Sequence, residues 1–339
     1  MFFVRPAEPE DVSALVHHAR QGAHSLPHDA QAMAQVIRHS MASFDATVKF
    51  PGEEAYLFVL ASSDDDAVHG AAMLSARAGA SGTFFAFRNE VIHQVSRDLG
   101  ISHGVHVLEL SSDLTAHSQL SGFWVRTPEQ AGDGADLLSR TRLLFAAAEP
   151  HRVGESIFAS PPGYTGPDGV SPFWEALGRK FFNIDFLDAE RAVQATRNRS
   201  MIVELMPHYP IYVPLLPGSA QAAMGQVHPL GELAYRILAD EGFGTDQFID
   251  IFDGGPILQA SRQALRSFSQ STTRLVRRTD DAPAAGRARY LVSNRRTTGL
   301  RAILADCPPI DHTENIHLTD AMLRTLEVGP GDLVLCTRL

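Results

Sequence analysis

Hydrophobic positions along this chain follow two rhythms, one of strand length and one of helical spacing. Tyr56-Leu-Phe-Val-Leu60 is an unbroken apolar strand, Ser62-Ser-Asp-Asp-Asp66 is a polar turn, and Val68 to Ala76 returns as the hairpin partner. Phe2 to Arg5 reads as an edge strand. Pro9-Glu-Asp11 then opens a helix carrying Val12, Leu15, Val16 and Ala19, and a second helix runs from Asp29 towards Ser43. Val105 to Leu110 and Ser156 to Ala159 are further strands, the latter broken by Pro161-Pro-Gly163. Ser171-Pro-Phe-Trp-Glu-Ala-Leu-Gly178 is a short helix with proline near its start and glycine at its far end. Residues 263–284 are polar and read as a connector. Beyond them lie three short strands, Arg289 to Ser293, Leu300 to Leu304 and Asp332 to Cys336, with a brief helix from Thr319 to Thr325. This order predicts an α+β fold with a mixed central sheet. The predicted divisions are residues 1–262, the connector 263–284, and a small β-rich domain over 285–339.

One segment joins both rhythms to a possible chemistry. From Phe123 the chain reads as a strand, then a tight loop containing Gly132 and Gly134, then an amphipathic helix reaching Ala148. Leu137, Leu144, Phe145 and Ala148 share one face of that helix. Free amides at a helix N-terminus behind a glycine loop suit a diphosphate. Most loops of this composition only make turns, so the pattern by itself leaves both readings open.

Composition narrows the function. The 339 residues are 44% hydrophobic and 20% charged, which describes a globular chain large enough for two domains. A net charge of −10 argues against nucleic acid or an acidic membrane as partner. No apolar run approaches the length of a membrane span, and Met-Phe-Phe-Val-Arg-Pro6 lacks the pattern of a signal peptide. Cys307 and Cys336 make neither a disulfide scaffold nor a zinc site, and a cytoplasmic location follows as the expectation. Asp64 to Asp66 reads as a solvated hairpin tip, so no metal is expected.

Several blocks resemble a specific family, the arginine/ornithine N-succinyltransferases, and within them the alpha-subunit type. They include Val4-Arg-Pro6, Tyr56 to Leu60, Phe87-Arg-Asn-Glu90, Ser139-Arg-Thr-Arg-Leu-Leu-Phe145 and Ser171-Pro-Phe-Trp-Glu175. The most distinctive are Glu204-Leu-Met-Pro-His-Tyr-Pro-Ile-Tyr-Val-Pro-Leu-Leu-Pro217, Gly225-Gln-Val-His-Pro229 and the run from Glu241 to Pro256. The resemblance covers nearly the whole chain. It implies a GNAT-like acyl-CoA N-acyltransferase core with an added C-terminal β-barrel-like domain. It also implies succinyl transfer from succinyl-CoA, a co-substrate rather than a tightly bound cofactor, to the α-amine of L-arginine or L-ornithine. A homologous beta subunit, self-association, or both are the partners it implies.

The same resemblance assigns roles to residues. Val125, ending the strand before the glycines, is the succinyl-CoA contact, and Gly132 and Gly134 belong to the diphosphate-binding segment. His228 in Gly-x-Val-His-Pro is the proton donor, a role that suits an imidazole titrating near neutrality. His208 is a second, Pro-flanked candidate among the 15 histidines. Arg88 is expected to meet a carboxylate of the acyl group or substrate, or to pair with a nearby acid. Asp113 is expected to hold the substrate's basic groups. Asp253, before two glycines, fits either that role or a turn that accepts backbone amides.

Some positions depart from the family pattern. Glu129 stands where Arg or Gln normally opens the diphosphate loop. Ser112, Ala116 and Gln119 replace Asn, Gly and Glu of the single-chain and beta-type enzymes. These changes admit an alternative, a non-catalytic or regulatory partner of a homologous catalytic beta subunit.

Overall fold

The structure is a computed structural model, and it describes residues 1–20, 26–65, 67–80, 82–126, 128–189, 191, 204–280 and 287–339, without the side chains of 128–132 and 246. Strands are numbered along the whole chain. The first eight are β1 (Phe2–Pro6), β2 (Ala55–Ser62), β3 (Val68–Ser75), β4 (Ala86–Ser96), β5 (Ile101–Ser111), β6 (Ser118–Val125), β7 (Ser156–Ala159) and β8 (Ile211–Tyr212). The rest are β9 (Gly244–Ile249), β10 (Pro256–Ser261), β11 (Thr272–Arg278), β12 (Ala288–Ser293), β13 (Ala302–Cys307), β14 (Asn315–Leu318) and β15 (Leu333–Arg338). The longer helices used below are α1 (Val12–Ala19), α2 (Ala30–Asp45) and α3 (Pro128–Ala148). The chain divides into two compact units. One comprises residues 1–76, 118–155 and 261–339, and the other residues 77–117 and 156–260.

In the first unit the strands run in the order β14-β11-β15-β12-β13-β1-β2-β3-β6. Pairing is antiparallel except between β11 and β14, which makes the sheet mixed. The predicted hairpin is present, with Tyr56 opposite Leu74 and Leu60 opposite Gly70. β2 is apolar from Ala55 to Ala61 because both its faces are covered. Leu57 and Val59 pack with Leu15, Met33 and Ile37 of α1 and α2. Tyr56 and Phe58 lie against Phe145 of α3, with ring centroids 4.9 and 5.6 Å apart. Within the polar stretch 263–284, Thr272–Arg278 forms β11, held by ladders to β14 on one side and β15 on the other.

α3 departs from expectation twice. Its helical backbone begins at Pro128, so Gly132 and Gly134 lie inside its first two turns and not in a loop before it. A Cβ on Gly134 would sit 3.0 Å from Leu60 Cδ2 and 3.6 Å from Phe2 Cδ2. This glycine brings the helix onto β1 and β2, which is close packing and not loop flexibility. The helix is also not amphipathic in its middle: every residue from Leu137 to Ala146 is buried, including Arg140 and Arg142, while Ala148 is half-buried.

In the second unit the order is β7-β10-β9-β4-β5-β8. Val105 to Leu110, predicted as a lone strand, belongs to the eleven-residue β5, which pairs with β4 from Ala86–Ser111 to Ser96–Ile101. β4 meets β9 only at Phe87 and Arg88, and β5 meets β8 only at Val107 and Leu108. The predicted helix over 171–178 breaks at Leu177, and Gly178 starts another turn, Gly178–Phe182. A Cβ at Gly178 would fall 2.1 Å from Trp174 Cε3, so the indole occupies the space a larger residue needs. Phe87, Leu108, Phe173, Trp174, Ile251 and Phe252 form the core here.

Candidate functional site

Antiparallel pairing alternates close hydrogen-bonded pairs with non-bonded ones, and this sets where Val125 aims its backbone. Gly70 opposes Val125, and the Arg126 amide donates to the His69 carbonyl at 2.8 Å. Position 126 is therefore the bonded pair, and the amide and carbonyl of Val125 point away from β3. The Val125 side chain is buried beside Gly70: a Cβ on that glycine would lie 2.7 Å from the Trp124 carbonyl and 3.2 Å from Val125 Cγ1. The strand end thus offers its main chain, not its side chain. Three residues on, α3 begins, and after Pro128, which has no amide proton, its first free amides belong to residues 129–131. The Glu129 side chain lies outside the described residues.

Arg88, Asp113 and His228 all belong to the second unit, whereas Val125, Gly132 and Gly134 belong to the first. Arg88 and Asp113 are brought together. The guanidinium contacts Glu90 through Nε at 2.6 Å, Glu109 through one terminal nitrogen at 3.3 Å, and Asp113 through the other at 3.2 Å. Arg88 is thus paired with neighbouring acids, one of the two readings its sequence left open. Glu90 and Glu109 escaped the sequence reading as members of this cluster. Glu109 faces Arg88 directly across the β4–β5 pair, a register that only the hairpin reveals. One cation among three carboxylates leaves the half-exposed cluster with surplus negative charge, and so suited to a cationic group.

His228 is half-buried and caps the 3-10 turn Pro229–Gly231. Its Nδ1 accepts the Leu230 amide at 3.2 Å. A neutral ring that accepts at Nδ1 carries its proton on Nε2, so the free edge is a donor. The main chain is held at both ends: the His228 amide donates to the Pro162 carbonyl at 2.9 Å, and its carbonyl accepts the Gly231 amide at 2.7 Å. Asp253 is buried and receives the Gly163 amide at 2.6 Å and the Gly255 amide at 2.7 Å, the amide-accepting turn of the two readings. His208 is exposed on a bend. Asp65 bonds His69 Nε2 at 2.9 Å at the hairpin tip, and Asp66 lies outside the described residues. Among the described residues no helix is long and apolar enough to cross a membrane.

Comparison with known proteins extends the picture to the whole chain. Residues 2–267 match the family model described as arginine N-succinyltransferase beta subunit, and residues 272–338 match that of its C-terminal domain. The chain is 43% identical over 309 residues to the arginine N-succinyltransferase subunit alpha of Pseudomonas aeruginosa, covering 90% of each protein. It is 34% identical over 338 residues to the arginine N-succinyltransferase of Yersinia enterocolitica, covering 98% of this chain and 96% of the relative. The solved structure of arginine/ornithine succinyltransferase subunit AI from Pseudomonas aeruginosa superposes with a TM-score of 0.89 at 38% identity, over 100% of this chain and 98% of that one.

Proposed function

The chain belongs to the arginine N-succinyltransferase family, and from that premise we propose how its residues transfer a succinyl group from succinyl-CoA to the α-amine of L-arginine or L-ornithine. The α-ammonium first loses a proton to solvent. Its nitrogen then attacks the thioester carbon, and the Val125 amide, turned away from β3, donates to the oxyanion. The carbon–sulfur bond breaks with His228 Nε2 donating its hydrogen bond to the departing sulfur, and the proton shed by the new amide nitrogen passes by way of water to the thiolate, so the ring stays neutral throughout. The observation that carries this reading is the hydrogen bond at His228: with Nδ1 accepting the Leu230 amide, the neutral ring presents a donor on its other edge.

The amides of the first turn of α3, with Gly132 and Gly134 behind them, are the proposed diphosphate contact. Asp113 and the acidic cluster around Arg88 are the proposed attraction for the substrate's guanidinium or ammonium, with Arg88 holding the acids in place. We read the core as GNAT-like and residues 285–339 as a small barrel-like domain. The neighbouring strands β13, β12 and β15 support the second point. The chain acts in the cytoplasm as one subunit of a multi-chain enzyme in this reading.

A second reading, a partner that supports a homologous catalytic beta subunit, has one observation in its favour. Glu129 falls in the first turn of α3, where a carboxylate repels a diphosphate. The test is coenzyme A release from succinyl-CoA with L-arginine and with L-ornithine, using the chain alone, its His228→Ala variant, and a mixture with the beta homologue. Turnover by the chain alone that falls at least ~100-fold in the variant is the expected result. Activity that appears only on mixing and survives His228→Ala would assign the chemistry to the partner.

A further inference from the structure

The loop that carries His228 is not held by its own turn alone. Val227 forms an isolated antiparallel bridge with Gly163, the Tyr164 amide donates to the Gln226 carbonyl at 3.1 Å, and the His228 amide donates to the Pro162 carbonyl at 2.9 Å. Residues 162–164 are therefore the rail along which residues 226–228 lie. That rail is fastened from behind by one side chain. Asp253 receives the Gly163 amide on one carboxylate oxygen at 2.6 Å and the Gly255 amide on the other at 2.7 Å. The turn closes the loop from the far side, because the Gly225 amide donates to the Gly254 carbonyl at 2.8 Å.

The glycines make this fit possible. A Cβ on Gly163 would lie 2.5 Å from Asp253 Oδ1, and one on Gly255 would lie 2.6 Å from the Gly163 Cα. Gly254 has a φ of +69° and would meet the Phe173 ring at 2.7 Å. Gly231, just past the histidine, packs where a Cβ would touch Pro162 and Val227 at 3.0 Å. Charged acceptors at such distances make strong, directional bonds.

We propose that Asp253 is a positioning residue for His228: its carboxylate anchors the 162–164 rail and through it fixes the place of the imidazole. This rests on the reading of His228 as proton donor, and the test separates the two. Asp253→Asn keeps the shape but turns one acceptor into a donor, so one of the two amides loses its partner whichever way the amide is oriented. The measurements are kcat and KM for both substrates, and nitrogen-15 NMR signals of the His228 ring across pH.

The expected result is a ten-fold or greater loss in kcat with KM values changed less than three-fold, together with a shifted His228 ring titration. A folded variant whose His228 ring signals match the wild type overturns the proposal, whatever its activity. If His228→Ala remains active, the proton-donor reading fails, yet the ring titration still decides whether Asp253 positions the histidine. If Asp253→Asn does not fold, amide hydrogen exchange in the wild-type protein serves instead. Joint protection of Gly163, Gly255 and His228 supports one clamp, and exchange at His228 more than 100-fold faster than at the two glycines overturns it.

Discussion

Cys307 and Cys336 show how burial sets chemistry one residue at a time. Both are free thiols packed in the core formed by β12, β13 and β15 with Ile310 and Ile316. Burial pushes the Cys307 thiol up to about 11 and raises Cys336 as well. At pH 8 only about a thousandth of a thiol with that pKa is thiolate, against roughly a tenth of a cysteine at its ordinary value of about 9. The native protein should therefore react with an aromatic disulfide reagent at least ~100-fold more slowly than the denatured chain, which yields both thiols. Absorbance of the released reagent at pH 8, with and without denaturant, checks this. The linkage sign follows from the raised folded pKa. Stability from the neutral thiol is complete below the unfolded value of about 9 and is lost as pH rises towards 11. Between pH 8 and 10 the wild type should lose about 1 kcal/mol relative to Cys307→Ala. Residue chemistry of this kind was partly legible: two cysteines excluded a disulfide framework, but their burial in one core depends on strands far apart in sequence. Likewise Arg88 was legible as an ion-pairing residue, whereas Glu109 became its neighbour only through the β4–β5 register.

At the scale of elements, burial on more than one side is what sequence periodicity reads poorly. The segment from Leu137 to Ala146 is enclosed all round, so its polar members are core residues and the amphipathic pattern misidentified a solvent face. Arg142 is the clearest case. Its guanidinium donates to the Ser139 carbonyl and hydroxyl at 3.2 and 2.9 Å, to the Met73 carbonyl of β3 at 3.3 Å and to the Ser121 carbonyl of β6 at 3.4 Å. No carboxylate is bonded to it among the described residues, and burial pushes its pKa down to about 9. It is still charged at neutral pH, and it ties α3 to β3 and to β6, the strand that ends at Val125. Arg142→Met orphans the Met73 and Ser121 carbonyls and should cost about 2–4 kcal/mol in urea unfolding. Arg142→Lys should recover less than half of that, because one ammonium cannot span the acceptors a planar guanidinium reaches. Recovery of full stability by lysine would show that charge, not geometry, is what the site uses. The β4–β5 hairpin was missed for the opposite reason. Its outer half, from Val91 to Ile101, is largely exposed and shows no one-sided burial to impose an alternating pattern.

At the scale of the molecule, the first strand and the C-terminal fifth of the chain lie in one compact unit, and this governs what those last residues can do. β13 pairs with β1 at Ala302 and Val4, so the first strand is interior to a sheet whose other side is β2. Met1 and Phe3 pack against the cluster of Val292, Ile303, Leu318 and Val334, and the Arg301 guanidinium stands 5.1 Å from the centre of the Phe3 ring. Arg289 of β12 bonds Asp133 of α3 as well as Asp306 of β13, which holds its charged form in place. A chain ending at Ser271 would lose β11 to β15, bare the edge of β1 and expose the apolar residues that those strands cover. Unpaired edges with exposed apolar faces associate. The truncated chain should therefore be aggregated or unfolded, while the full chain melts the first unit, C-terminal strands included, in one cooperative step. Light scattering and thermal unfolding of the two forms test this. A monomeric truncated chain with the full chain's melting temperature would mean that residues 272–339 fold as an appendage, and that the ladder between Val4 and Ala302 adds nothing to the core.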